Sequence, residues 1–210
     1  MKSKFIATSS VFAALTVALN LWSPKIPAPF LPFLYYQIWE IPIVAAFLLY
    51  GPLLGIAVSI INTLVLFAYF PGELPTGPIY NLLAVLGMLL GVYVVQRFLA
   101  GPSHRQRESV TVAISTALGV ASRVAIMSIV NWAFIRYPPP IGYGIPEDLI
   151  IAWLPFIGLF NATLALYTIP MGYVLAKAVS RGVRTEMQNL RSSKQLKTKE
   201  PKVDSEVSPQ

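Results

Sequence analysis

Ile38-Trp39-Glu40-Ile41-Pro42-Ile43-Val44-Ala45-Ala46-Phe47-Leu48-Leu49-Tyr50-Gly51-Pro52-Leu53-Leu54-Gly55, an apolar run that continues without another charge to Phe70, is the stretch whose reading decides the fold. The 30 residues from Ile41 to Phe70 carry no charge. As one helix they would extend about 45 Å, against a hydrocarbon core of about 30 Å. Gly51-Pro52 interrupts the run. Proline removes a backbone donor and clashes with the preceding turn, so the stretch reads as a hairpin of two shorter helices.

Working outward, further apolar runs lie at about 5–22, 79–99, 110–135 and 150–176, which makes six helices with the hairpin counted as two. Charge supports the same count, because Lys and Arg in short loops mark the cytoplasmic side of a membrane. With six helices, 13 of the 16 basic residues fall on one side: Lys2 and Lys4, then Arg97, Arg105 and Arg107, then Lys177 and the tail. The reading is an all-α integral membrane protein of the cell membrane, with six transmembrane helices, both termini cytoplasmic and proline-rich outer loops. Asn20-Leu21-Trp22-Ser23-Pro24 is a poor signal-cleavage site, so the first helix is expected to be retained.

Composition agrees: 55% of the 210 residues are hydrophobic, 12% are charged and the mean hydropathy is +0.63. Only 12 charges fall between Phe5 and Ser180, whereas 11 crowd into 181–210. Two parts follow, a six-helix membrane domain over 1–180 and a basic polar tail over 181–210, expected to be disordered and to touch anionic lipid. The net charge of +7 is thereby a topology and lipid signal, with no nucleic-acid partner implied. Without cysteine, and with His104 the only histidine, no thiolate or multi-histidine metal site and no cofactor is expected.

Polar chemistry collects at the other face. Eleven of the 18 prolines lie in the three outer loops, and Trp22, Trp39, Trp132 and Trp153 all sit at outer helix ends. An interfacial belt accounts for most of them, leaving Trp39 and Trp132 to face a site. Asn20, Asn62, Asn81, Asn131 and Asn161 share the outer half of the spans. Single amides glue helices together, but five at one depth point to a polar cavity open outward. Glu40 opens the second helix near the hydrocarbon, and Arg123 is at mid-depth on a face with Met127 and Asn131. A charge there must be paired or hydrated, so Arg123 either closes a structural pair or lies beneath the cavity floor.

Aromatic residues of the first loop can stack on a ring, and amides donate to and accept from hydroxyls and ring carbonyls. The substrate-binding set is therefore Phe33, Tyr36, Trp39, Glu40, Asn62, Asn81, Asn131, Trp132 and Asn161, and a flat, polyhydroxylated, vitamin-like molecule suits it. No phosphate-binding loop, H-E-x-x-H or G-x-S-x-G motif occurs. The chain reads as a binding subunit and not an enzyme. The rival reading is a membrane-embedded enzyme acting on a lipid or isoprenoid through Glu40 or the Glu147-Asp148 pair. Uptake of a different small molecule is a further alternative.

Ser10, Ala14 and Ala18 form a small-residue stripe on the first helix, as do Gly51/Gly55, Gly87/Gly91 and Ala117/Ala121/Ala125 elsewhere. The first loop, Ile26-Pro27-Ala28-Pro29-Phe30-Leu31-Pro32-Phe33-Leu34, with Trp39-Glu40-Ile41-Pro42 and Gly51-Pro52, resembles the S components of energy-coupling factor transporters, most closely the riboflavin-binding branch. Gly77-Pro78-Ile79-Tyr80-Asn81, Ser128-Ile129-Val130-Asn131-Trp132 and Leu154-Pro155-Phe156 extend the resemblance over roughly 5–178. It implies a six-helix vitamin-binding subunit, with riboflavin or a flavin-like compound as ligand. It also implies docking through Ser10, Ala14 and Ala18 on a transmembrane coupling subunit driven by two ATPase subunits. The chain departs from the family pattern at Ile61-Asn62, at Pro78 and in lacking, near Asn161, the lysine that pattern places in the sixth helix, differences that bear on the ligand more than on the class.

Overall fold

The computed structural model describes the backbone of residues 2–22, 26–69, 74–98 and 108–199, and the side chains of the same ranges except 2–4, 32 and 183–199. Lys25, Glu73, His104, Arg105, Arg107, the side chains of Lys2 and Lys4, and the end of the tail lie outside the described residues.

The elements run α1 (Lys2–Trp22), β1 (Ile26–Ala28), β2 (Leu31–Tyr36), α2 (Glu40–Tyr50), α3 (Pro52–Tyr69), α4 (Gly77–Phe98), α5 (Glu108–Phe134) and α6 (Glu147–Lys199). Among the described residues, five helices, all but α2, are long and apolar enough to cross a bilayer.

The break falls at Gly51. Its N–H closes α2 on the Phe47 carbonyl at 2.9 Å, and its φ of 93° is a conformation that favours glycine. Pro52 then opens α3, where the donor it lacks would have been unpaired anyway.

The two arms of the hairpin are unequal. At 11 residues, α2 covers only about 16 Å at roughly 1.5 Å per residue, half of a hydrocarbon core. After Glu40 its sequence, IPIVAAFLLY, is apolar all round, the mark of a helix surrounded by others. Ile43, Val44, Ala45 and Ala46 are wholly buried, and Phe47, Leu54, Val58, Met88, Val92, Ala165 and Ile169 belong to the same core cluster. The short helix is thus the centre of the bundle.

Residues 26–36, expected as a proline-rich loop, form an antiparallel hairpin that pairs Ile26 with Tyr36 and Pro27 with Tyr35, with a register shift before Ala28. Two strands suffice there, because proline has no donor for a further ladder. The short β1–β2 hairpin is the one departure from helix among the described elements.

Helices α4 and α5 approach through glycine. A Cβ on Gly91 would meet the Gly119 backbone nitrogen at 2.6 Å, so only the bare backbone fits. Helix α6 carries Pro155 and Pro170 and continues to Lys199, past Arg181 where the sequence reading begins its polar tail. No proline or glycine occurs from Val183 to Lys199 to stop it. The chain divides into two compact units, Met1–Ala176 and Lys177–Gln210, and the cavity described below is lined by residues of the first.

Gly91→Ala should lower stability by about 1–3 kcal/mol through overpacking against a backbone that cannot yield. Gly182→Ala, where a Cβ meets nothing within 4 Å, should not. Thermal unfolding of the two purified variants in one detergent makes the comparison.

Candidate functional site

One buried stripe of α5 carries Gly119, Arg123, Met127 and Asn131 at four-residue steps, so all four project from the same face. The Arg123 side chain is 2% exposed. Its guanidinium engages the Glu40 carboxylate in a two-point clasp, with Nη2 donating to Oε1 at 3.0 Å and Nη1 donating to Oε2. Nε donates to Asn161 Oδ1 at 3.0 Å, and Nη1 also lies 3.8 Å from Met88 Sδ.

Glu40 is completely buried in the first turn of α2, where the helix dipole favours a carboxylate. Desolvating either ion alone would be prohibitive in hydrocarbon, and the bidentate geometry with a third hydrogen bond is what compensates. Arg123 thus combines the two alternatives left by the sequence, closing a structural pair and also lining the cavity.

That cavity, about 460 Å³, lies among α1, α3, α4, α5 and α6 beneath the hairpin. Four asparagines reach it, Asn20, Asn81, Asn131 and Asn161, together with Gln37. Asn131 Nδ2 donates to the Met127 carbonyl at 2.6 Å and Asn161 Nδ2 to the Ile157 carbonyl at 2.9 Å, which fixes how each amide is turned. Asn131 Oδ1 consequently remains available as an acceptor. Phe33, Tyr35, Tyr80, Tyr143 and Phe160 supply the aromatic walls.

The cover is fastened from several directions. The Phe33 ring lies 5.9 Å from that of Tyr143 and 5.5 Å from that of Trp153. Tyr36 Oη is 3.0 Å from Thr163 Oγ1, and Tyr167 Oη donates to the Gln37 carbonyl at 2.6 Å, tying the hairpin to α6. Thr76 Oγ1 and Tyr80 Oη donate to the Pro140 and Ile141 carbonyls at 2.6 and 2.9 Å, joining the start of α4 to the loop before α6.

Of the nine residues assigned to binding from sequence, Phe33, Asn81, Asn131 and Asn161 line the cavity. Asn62 stands behind it, accepting from Asn20 Nδ2 at 3.3 Å. Tyr36 packs on Phe160 at the edge, with ring centroids 5.1 Å apart.

Trp39, Glu40 and Trp132 do not reach it. Trp39 is 2% exposed within the core cluster around α2. Glu40 is consumed by Arg123. Trp132 follows Asn131, and a helical step of about 100° turns it away from the cavity, leaving it exposed under the Arg136 guanidinium at 4.8 Å.

The sequence set omits Asn20, Gln37, Tyr80, Tyr143 and Phe160. Tyr80 and Phe160 are neighbours of predicted amides and could have been found from them. Tyr143 stands in an irregular loop with no periodicity to reveal it.

On α1, Ser10 and Ala14 are exposed and Ala18 is partly so, beside the exposed Val11 and Leu15. The other small-residue stripes divide, Gly87/Gly91 facing inward and Ala117/Ala121/Ala125 facing outward.

No family model matches the chain. It is 29% identical over 140 residues to "Riboflavin transporter RibU" of Staphylococcus aureus (strain TCH60), covering 65% of this chain and 67% of that protein. The solved S component of a bacterial ECF transporter superposes with a TM-score of 0.69 over 87% of this chain and 99% of that one, at 21% identity. The chain resembles an S component of the riboflavin branch. The sequence similarity supplies the branch, and the superposition supplies the fold. With its apolar helices, the resemblance makes this a multi-pass membrane protein.

Arg123→Met, which strands the Glu40 carboxylate, should cost about 3–5 kcal/mol, while Glu40→Leu/Arg123→Met together should recover most of the loss. Thermal unfolding followed by tryptophan fluorescence reads this directly, Trp39 being next to Glu40 and in the core.

Proposed function

We propose that the chain is the substrate-binding subunit of an energy-coupling factor importer and that its ligand is riboflavin or a closely related flavin. The observation that carries this reading is the covered cavity itself. Amides with free polar groups, set among aromatic walls, match a flat heterocycle bearing carbonyls and hydroxyls. Similarity to a riboflavin transporter supports the choice of ligand.

In this reading the bundle spans the cell membrane with both termini cytoplasmic, and α2 counts as the short member of six. The hairpin covers a cavity open to the outside. Binding is tight in this reading, and it needs no ATP, the chain carrying no phosphate-binding loop of its own. Energy comes from a transmembrane coupling subunit with two ATPase subunits, docked on the Ser10, Ala14 and Ala18 face of α1. The accessibility of Ser10 and Ala14 suits such a role. Residues 181–210 form a basic cytoplasmic tail beside the anionic leaflet.

The enzyme reading is weaker, because Glu40 is buried against Arg123 and Glu147 lies half-exposed beside Arg136 at 3.4 Å, away from the cavity.

Purified protein should bind riboflavin, seen as quenching of flavin fluorescence on titration. No binding at micromolar ligand by folded protein sinks the proposal. Asn131→Leu removes a buried amide that faces the ligand and should weaken binding by about tenfold. Trp132→Phe, pointing away, should stay within about twofold.

Replacing Ala14 and Ala18 by tryptophan should abolish uptake by cells while leaving riboflavin affinity of the purified protein intact. Affinity and uptake falling together would place that stripe inside the fold instead.

A further inference from the structure

A guanidinium has five N–H hydrogens. In Arg123 one goes to Asn161, two to Glu40, and one of the Nη1 pair points toward the weakly accepting Met88 sulfur. One Nη2 hydrogen has no acceptor among the described residues, and Arg123 is the one formally charged residue among those described around the cavity. The carboxylate that balances it belongs to Glu40, which does not line the cavity. A ligand therefore meets a strong, rigid donor with almost no net charge behind it.

Further along the same helix face, Asn131 Oδ1 remains as an acceptor. Eight residues separate the two, about 12 Å at roughly 1.5 Å per residue, with the Met127 side chain between them. That length suits an extended ring system with an acceptor at one end.

From this arrangement we propose that Arg123 is the specificity-determining contact of the cavity and that Glu40 is its positioning and neutralising partner. The site then selects an uncharged heterocycle that offers a carbonyl or ring nitrogen, and disfavours an anionic phosphate ester of the same molecule. The proposal rests on the binding-subunit reading above. It assigns Glu40 an indirect role in place of the direct ligand contact expected from sequence.

The charge balance makes it testable. Glu40→Gln keeps the shape and a hydrogen-bond acceptor for Arg123 but leaves a net positive charge at the floor. In a cavity of low dielectric that charge acts on a phosphate wherever the phosphate lies.

Full-length protein in detergent is titrated with riboflavin and with riboflavin 5′-phosphate, using flavin fluorescence. The wild type should prefer riboflavin by about tenfold or more, and Glu40→Gln should shift the ratio of affinities toward the phosphate ester by about tenfold. A purely structural role for the pair would weaken both ligands alike and leave the ratio unmoved.

If Glu40→Gln does not fold, Glu40→Leu/Arg123→Met, without either charge, provides the second test. It should lose riboflavin affinity by about tenfold with no shift toward the ester. An unchanged ratio in folded Glu40→Gln, a wild type indifferent to the phosphate, or wild-type riboflavin affinity in the double variant overturns the proposal while leaving the binding-subunit reading in place. Absence of riboflavin binding by the folded wild type overturns that reading, and this proposal with it.

Discussion

Placing a guanidinium and a carboxylate at the centre of an apolar bundle is permissible only if each satisfies the other, and this constraint organises the structure around α2. Glu40 and Arg123 come from helices far apart in sequence, and Asn161 adds a third helix to the same cluster. Because neither ion can be left alone in hydrocarbon, α2, α5 and α6 are held in one relative position. A short helix with little intrinsic stability, surrounded on all sides, is thereby pinned at its first turn. At its other end Gly51 closes it and Pro52 starts the next helix, so both ends of α2 are specified by chemistry as well as by packing.

The cavity is a consequence of how this cluster is surrounded. Beyond Arg123, α5 presents Met127 and Asn131, and α6 presents Asn161 and Ile157, so polar groups project into a space that apolar side chains do not close. The amides resist collapse because each is oriented by its own helix: Asn131 and Asn161 donate to carbonyls four residues earlier. Such bonds leave the remaining amide atoms aimed in a fixed direction, which is the preorganisation a tight site needs. The aromatic cover shares the principle, since Tyr36 and Tyr167 use their hydroxyls on α6 and the hairpin while their rings pack.

Much of this was legible in the sequence, for identifiable reasons. The Gly51-Pro52 break was readable because proline and glycine act locally, whatever the tertiary context. The asparagines were readable because amides are expensive in hydrocarbon wherever they occur; four of the five reach one cavity, and the fifth, Asn62, bonds to one of those four, Asn20.

What escaped were facts of direction and partnership. Nothing local distinguishes Trp39 in the core from a tryptophan at an interface, or shows that Trp132 is turned away while Asn131 is turned in. The hairpin escaped because Pro27, Pro29 and Pro32 demote a strand in any propensity argument, and two paired strands can tolerate prolines that a wider sheet would not. Tyr143 escaped because a loop residue acquires its place from the contacts of the whole cover.

In the proposed binding reading, the same pair separates two demands that compete in most binding sites. A strong donor normally brings a charge, and a charge selects for anions; a buried neutraliser placed behind the donor keeps the directional hydrogen bond and removes most of the field. Lysine could not serve equally well, because a point charge on a flexible stem has no planar fork to divide between a carboxylate, an amide and a ligand. Arginine can give two hydrogens to Glu40 and one to Asn161 from one rigid plane and still be part of the cavity lining. The scarcity of charge that first marks the chain as a membrane protein therefore has a counterpart at its centre. The few charges it retains in the spans are used in a way that leaves the cavity polar, directional and nearly neutral.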